Sequence, residues 1–258
     1  MAEAPIIIAG HSHVFAFQFG STAVHNPPGL IPLPMPRENV YGFATTAGPY
    51  QPSYWDELVE QAAGKTILLF WLGSQHLAEF LFEHEEPFDF ILAQRPELPL
   101  QETARLVPEA LVREYQASFL AALGEVLDRL VAQPGCRIFL GATAPPKGDD
   151  AELRSFMMAE PFFQQQAASF GLDLATARFT PPTVRLKLWL TIQDLVQDIA
   201  RARGVPYVPV PPSTQDEHGF LLREFWDWDV GHANHAYGLV FFDAARTQID
   251  QSSEANRP

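Results

Sequence analysis

Cysteine is nearly missing from this chain of 258 residues: Cys136 stands alone. A single thiol excludes an intrachain disulfide and agrees with a reducing compartment, so the cytoplasm is the expected location. Positive charge is scarce as well, with 17 Lys and Arg against 31 Asp and Glu and a formal charge of -14. Binding an extended phosphate backbone needs clustered Lys and Arg, so no nucleic acid partner is expected. No run approaches the ~20 consecutive apolar residues that a membrane span requires. The opening Met1-Ala2-Glu3-Ala4-Pro5 lacks the basic stretch of a secretory signal. Proline is plentiful, 23 residues against 16 glycines, within a globular balance of 47% hydrophobic and 19% charged residues. That mixture predicts a folded chain with long, stiffened connections. The length suits one sizeable core, and the expectation is a single domain over residues 1–250 followed by a frayed polar tail, 251–258.

Residues 5–9, Pro-Ile-Ile-Ile-Ala, form a β-branched run ended by Gly10, and residues 66–71, Thr-Ile-Leu-Leu-Phe-Trp, form a second such run. Apolar runs without alternation read as strands buried on both faces. Further strands are predicted at 40–46, 137–141 and 206–210, and helices at about 53–63, 109–131, 181–203 and 235–249. The stripe Leu111, Tyr115, Phe119, Ala122, Val126 and Leu130 makes 109–131 one amphipathic helix. Residues 21–39 and 84–107 are rich in proline and read as irregular excursions. Strands separated by helices argue for a parallel sheet covered on both faces, whose ligands bind beyond the carboxyl ends of the strands.

Three polar blocks fall at those ends: Gly10-His11-Ser12-His13 after the first strand, Gly73-Ser74-Gln75-His76 after the third, and Asp229-Val230-Gly231-His232-Ala233-Asn234 on the last loop. A serine hydroxyl is a weak nucleophile until a histidine takes its proton, and that histidine needs a carboxylate to fix its tautomer. Ser12, His232 and Asp229 supply these parts, and the spacing of three lets one tight loop present both Asp229 and His232. Asp227 is the competing carboxylate. Ser12 could otherwise cap the helix that follows the strand. Trp226 and Trp228 flank Asp227 and could stack on a sugar, line an acyl pocket or merely pack the loop.

Taken in order, these blocks resemble those of the SGNH (GDSL-like) hydrolase family. That family carries Gly-Asp-Ser after the first strand, a glycine after the second, Gly-x-Asn-Asp after the third and Asp-x-x-His-Pro-Asn near the C-terminus. Here Gly10-His11-Ser12, Gly48, Gly73-Ser74-Gln75-His76 and Asp229 to Asn234 stand at those places, and Thr143-Ala144-Pro145-Pro146 follows the fourth strand. The resemblance implies a three-layer α/β/α sandwich around a five-stranded, largely parallel, flavodoxin-like sheet. It also implies a serine esterase with Ser12, Asp229 and His232 as catalytic residues and Gly48, Gly73 and Gln75 around the oxyanion. The substrate class would be a small-molecule or carbohydrate ester, and no cofactor or metal is needed. Three positions depart from the family: His11 replaces its aspartate, Gln75 its asparagine and Ala233 its proline.

Two alternatives come from different classes. His11 and His13 form a His-x-His after the first strand, as in metal-dependent amidohydrolase-like hydrolases, with His232 and His235 as further ligand types. The changes at His11 and Gln75 motivate the other, a non-catalytic, carbohydrate-binding SGNH-fold relative, and an acyltransferase in place of a hydrolase also fits the same residues.

Overall fold

The computed structural model describes residues 4–18, 29–72 and 80–255. The first strand, β1 (Ile6–Gly10), is buried along its whole length, as an apolar run without alternation requires. A 3-10 turn, Ser12–Phe17, follows it directly. Next come β2 (Gly29–Pro32), β3 (Val40–Ala44), helix α1 (Pro52–Gln61) and β4 (Thr66–Phe70). Beyond β4 lie the two-residue strands β5 (Phe88–Asp89) and β6 (Arg105–Leu106), then α2 (Glu109–Ala117), a 3-10 turn (Ser118–Leu120), α3 (Ala121–Val131) and β7 (Arg137–Gly141). The chain ends with α4 (Asp150–Ala159), α5 (Pro161–Ser169), α6 (Pro182–Arg201), β8 (Tyr207–Val208) and α7 (His235–Ala255). The last helix therefore runs beyond the expected Ile249.

The main sheet has the order β2-β3-β1-β4-β7-β8. All its pairings are parallel except β2 with β3. It has six strands where five were expected. The extra strand, β2, lies in the proline-rich excursion. Pro32 cannot donate to a ladder, but β2 is the outer strand of the sheet, where a missing N–H is tolerated. The other five follow the order of a flavodoxin-like fold, with its switch point between β1 and β4.

Alternate side chains of the central strands feed two apolar layers. Ile6, Ile8, Leu68, Phe70 and Phe139 join Phe241, Phe242 and Ile249 of α7 and Leu153 and Met157 of α4. Ile7, Ala9, Ile67, Leu69, Ile138 and Leu140 face Trp55 and Leu58 of α1, Leu123 and Leu127 of α3, and Ile192 and Val196 of α6. This period-two division of one sheet between two helical layers is the α/β/α sandwich.

The expected helix over 109–131 is broken. Val112 and Gln116 of α2 are buried, whereas Leu111 and Tyr115, expected inward, are exposed. Gln116 Nε2 donates to the Leu188 carbonyl at 3.1 Å, and the Ser118 hydroxyl donates back to the Tyr115 carbonyl at 2.6 Å, where the 3-10 turn resets the phase of the inward face. The second excursion is also more ordered than expected. Its Asp89 carboxylate is buried and takes hydrogen bonds from Lys187 Nζ, at 2.8 Å, and from the Phe90 and Gln101 N–H groups.

Two glycines bring the site together. Gly10 has φ of 132°, and a Cβ there would lie 1.9 Å from the Phe70 carbonyl oxygen, so only glycine lets β1 close on the end of β4. A Cβ on Gly238 would lie 2.1 Å from the Ala16 carbonyl oxygen. Its absence lets α7 dock on the turn that begins with Ser12. Among the described residues, no helix is long and apolar enough to cross a membrane.

Candidate active site

Ser12 is the first residue of the turn after β1, and the helix-capping role is not taken by its side chain. The cap position belongs to His11 without a side-chain bond, and the Ser12 hydroxyl instead lies 2.7 Å from His232 Nε2. On the far side of the ring, His232 Nδ1 lies 2.5 Å from Asp229 Oδ2. With Nδ1–H donating to the carboxylate, Nε2 is left to accept from the hydroxyl. Ser12 thus joins two residues more than 200 positions further along the chain, themselves three apart, in one hydrogen-bonded line.

The loop that carries Asp229 and His232 is closed at its base by an antiparallel bridge between Trp226 and Ala233 and by the Asp227 N–H on the His232 carbonyl at 3.1 Å. Asp229 Oδ1 accepts from the N–H groups of Gly231 at 2.9 Å and His232 at 2.7 Å. One carboxylate oxygen therefore fixes the loop while the other meets the ring. Burial pushes the Asp229 carboxyl up, but the hydrogen bonds and charge of His232, with the charge of Lys147, outweigh it and hold the group well below the usual carboxylate range. Asp227 is turned elsewhere: its carboxylate accepts from the Trp228 N–H at 2.8 Å. Asn234 tethers the end of the loop, donating to the Glu224 and Trp226 carbonyls and accepting from the Tyr237 N–H in the first turn of α7.

The remaining site residues of the sequence divide in two. Gly48 lies in the loop after β3, with φ of 71°, and no atom stands within 4 Å of where a Cβ would be. β3 is the ladder neighbour of β1, and Tyr50 from the same loop has its ring 4.8 Å from that of His11, so this loop borders the Ser12 block. Gly73 and Gln75 fall in 73–79, outside the described residues.

His11 and His13 diverge. The His11 ring sits among Tyr50, Trp55 and Trp71, with centroid distances of 4.8, 5.3 and 5.0 Å, and its Nδ1 accepts from the Leu72 N–H at 3.2 Å. The His13 ring lies 5.4 Å from that of His232, and His235 Nδ1 is 3.1 Å from the Ala16 carbonyl. Among the described residues, no three His, Cys, Asp or Glu side chains form a ligand set. His11 instead joins the end of β1 to the segment after β4, where Leu72 has a left-handed φ of 42°.

Burial lowers the His11 imidazole from 6.5 to about 4, with the Phe70 backbone acting weakly the other way. The folded state thus holds His11 neutral while the unfolded chain protonates it near 6.5. Its contribution to stability is whole above that value and is lost as pH falls through about 4. Linkage puts the loss at about 3 kcal/mol. Urea unfolding of wild type and His11→Gln at pH 7 and pH 4 should show a loss smaller by about that amount in the variant, and equal losses in both would remove His11 as the source.

The sequence reading missed Lys147. It follows the Thr143-Ala144-Pro145-Pro146 block after β7, yet its side chain is 1% exposed. Its Nζ donates to the Asp227 carbonyl at 2.8 Å and to the Asp229 carbonyl, and lies 3.8 Å from Asp229 Oδ1. Composition gives no signal for this, since a lone lysine after two prolines reads as solvated. The exposed aromatics were only half anticipated. Trp226 is buried, whereas Trp228 is 82% exposed and Tyr50 73% exposed. Phe15, also exposed, has its ring 5.6 Å from His232.

No protein-family model matches the chain, and no curated protein matches it in sequence. Solved structures do resemble it. An aryl esterase from M. smegmatis is 10% identical, with 96% of this chain and 99% of that one covered and a TM-score of 0.45. A carbohydrate acetylesterase from Sinorhizobium meliloti is 9% identical over 96% and 99%, with a TM-score of 0.45. The periplasmic domain of a lipopolysaccharide acetyltransferase from Salmonella ser. Paratyphi A is 12% identical over 96% and 84%, with a TM-score of 0.48. In this chain the turn bearing Ser12 follows the first strand of the α/β/α sandwich directly, and the Asp229–His232 loop directly precedes its last helix.

Proposed function

We propose that the protein is a serine-dependent ester hydrolase of the SGNH type. The observation that carries this reading is the continuous line Ser12 Oγ–His232 Nε2 at 2.7 Å and His232 Nδ1–Asp229 Oδ2 at 2.5 Å. His232 takes the hydroxyl proton as Ser12 Oγ attacks the ester carbonyl, and Asp229 stabilises the imidazolium that forms. The same proton then goes to the departing alcohol oxygen, leaving acyl-Ser12. Water enters, gives its proton to His232, and the carboxylic acid leaves as Ser12 is regenerated. The Ser12 and Gly48 N–H groups and the Gln75 amide are the proposed oxyanion donors.

The substrate class follows from the rim. Phe15 is exposed beside the His232 ring and Tyr50 beside that of His11, next to Ser12, and aromatic faces suit an apolar acyl group or the flat face of a sugar. The overall charge of -14 disfavours a strongly anionic ester. A neutral short-chain or carbohydrate O-acyl ester fits both features. Release of a chromogenic alcohol from a short-chain aryl ester tests the reading. Turnover should persist after prolonged chelation, because histidines serve here as base and structure. Loss on chelation that Zn²⁺ restores would favour the metal-dependent alternative, and no turnover of any neutral ester would favour a binding relative.

A further inference from the structure

We propose that Lys147 is a positioning residue for the Ser12–His232–Asp229 line: its ammonium fixes the main chain that carries Asp229 and limits how strongly that carboxylate holds a protonated His232. The proposal rests on the ester-hydrolase reading of the site.

The geometry has two parts. Lys147 Nζ binds the carbonyls of both Asp227 and Asp229, the residues either side of exposed Trp228, so one ammonium spans the outer turn of the loop. The same Nζ stands 3.8 Å from Asp229 Oδ1, the oxygen that takes the loop N–H groups and does not meet the His232 ring. Lys147 Nζ and the His232 ring therefore approach one carboxylate at different oxygens. A cation on Oδ1 draws carboxylate charge away from Oδ2 and so disfavours the imidazolium. The lysine is itself fixed. Its carbonyl accepts from Arg185 at 3.3 Å, and Arg185 also binds Asp150 at 2.7 Å. Its ammonium lies over the rings of Phe156 and Trp226, 5.3 and 5.5 Å from their centroids.

The charged groups acting on Nζ are Asp229 and Asp227 on the loop, Glu152 on α4 and Arg223 before the loop. Burial lowers the ammonium from 10.5 to about 8, against the pull of Asp229, Asp227 and Glu152 and with the push of Arg223. The lysine is thus a cation at neutral pH. A lysine used only to fill space there would be replaceable by Met without electrostatic consequence.

The test reads that consequence. In Lys147→Met, kcat/KM on an aryl ester should fall by about 10- to 100-fold as the loop loosens. The acid limb of its pH profile should move up by roughly 1 pH unit, because a nearby positive charge is gone. A structural role alone lowers activity and leaves that limb in place, or moves it down if His232 loses Asp229, and either result overturns the proposal. Should Lys147→Met not fold, wild type and Asp229→Asn decide. The chain has three lysines, Lys65, Lys147 and Lys187, so ¹³C NMR of labelled lysine Cε resolves Lys147. Its midpoint near 8 in wild type should fall in Asp229→Asn, since the coupling is reciprocal. An unmoved midpoint overturns the proposal. This readout needs no turnover, so it fails independently of the esterase reading, which Ser12→Ala tests.

Discussion

Replacing Ser12 by Ala should remove nearly all ester hydrolysis, and His232→Ala should do nearly as much. The two residues share one proton transfer. Without the hydroxyl there is no acyl-enzyme, and without the imidazole that lies 2.7 Å away the hydroxyl keeps its proton at neutral pH. Groups that act as a unit are not additive, and in a serine protease such single losses reach about 10⁶ in kcat, hardly increased by combining them. The Ser12→Ala/His232→Ala double variant should therefore sit within about threefold of either single one. Steady-state turnover of an aryl ester checks this, with circular dichroism to show that the variants fold. Ser12→Ala retaining more than about a tenth of wild-type kcat is far above what a lost nucleophile allows.

Asp229→Asn should lower kcat by up to about 10⁴ with little change in KM, the size of effect that the wrong histidine tautomer produces in a serine protease. The side-chain amide can donate where the carboxylate accepted, so Nδ1–H is no longer favoured and Nε2 no longer accepts from Ser12. Asp227→Asn should cost less than about threefold, because the Asp227 carboxylate meets the Trp228 N–H rather than an imidazole. The comparison discriminates between two acids two residues apart in one loop. A large kcat effect at Asp227 with a small one at Asp229 would reverse the assignment.

The strands at the centre of this fold were readable because burial on both faces imposes a composition. The Ile6–Ala9 and Ile67–Phe70 runs have no polar position, and only a fully covered sheet accommodates them. The spacing of Asp229 and His232 was readable because it is local: three residues suffice to close a turn on one carboxylate oxygen. What escaped depends on distant neighbours. β2 exists because β3 offers it an edge, and nothing in its own residues, Gly29-Leu30-Ile31-Pro32, separates a strand from a loop. The inward face of α2 is set by its seat on α6, through Gln116 and Leu188, so a stripe counted from Leu111 was out of phase by one residue. Lys147 is a cation whose partners lie 80 and 82 residues away, and no local pattern marks a lysine as buried. His11 reads as a departure from a family motif, yet its place is set by Tyr50, Trp55, Trp71 and the Leu72 N–H.

The central claim is that Ser12 becomes covalently acylated with His232 as its base. A serine-directed organophosphorus reagent tests it most directly, since phosphorus takes the place of the ester carbonyl carbon. The account predicts one equivalent of adduct, located by peptide mass spectrometry on Ser12, formed in step with the loss of esterase activity and suppressed in His232→Ala. Complete loss of activity with the adduct on another residue, or full labelling of Ser12 with turnover unchanged, would contradict it.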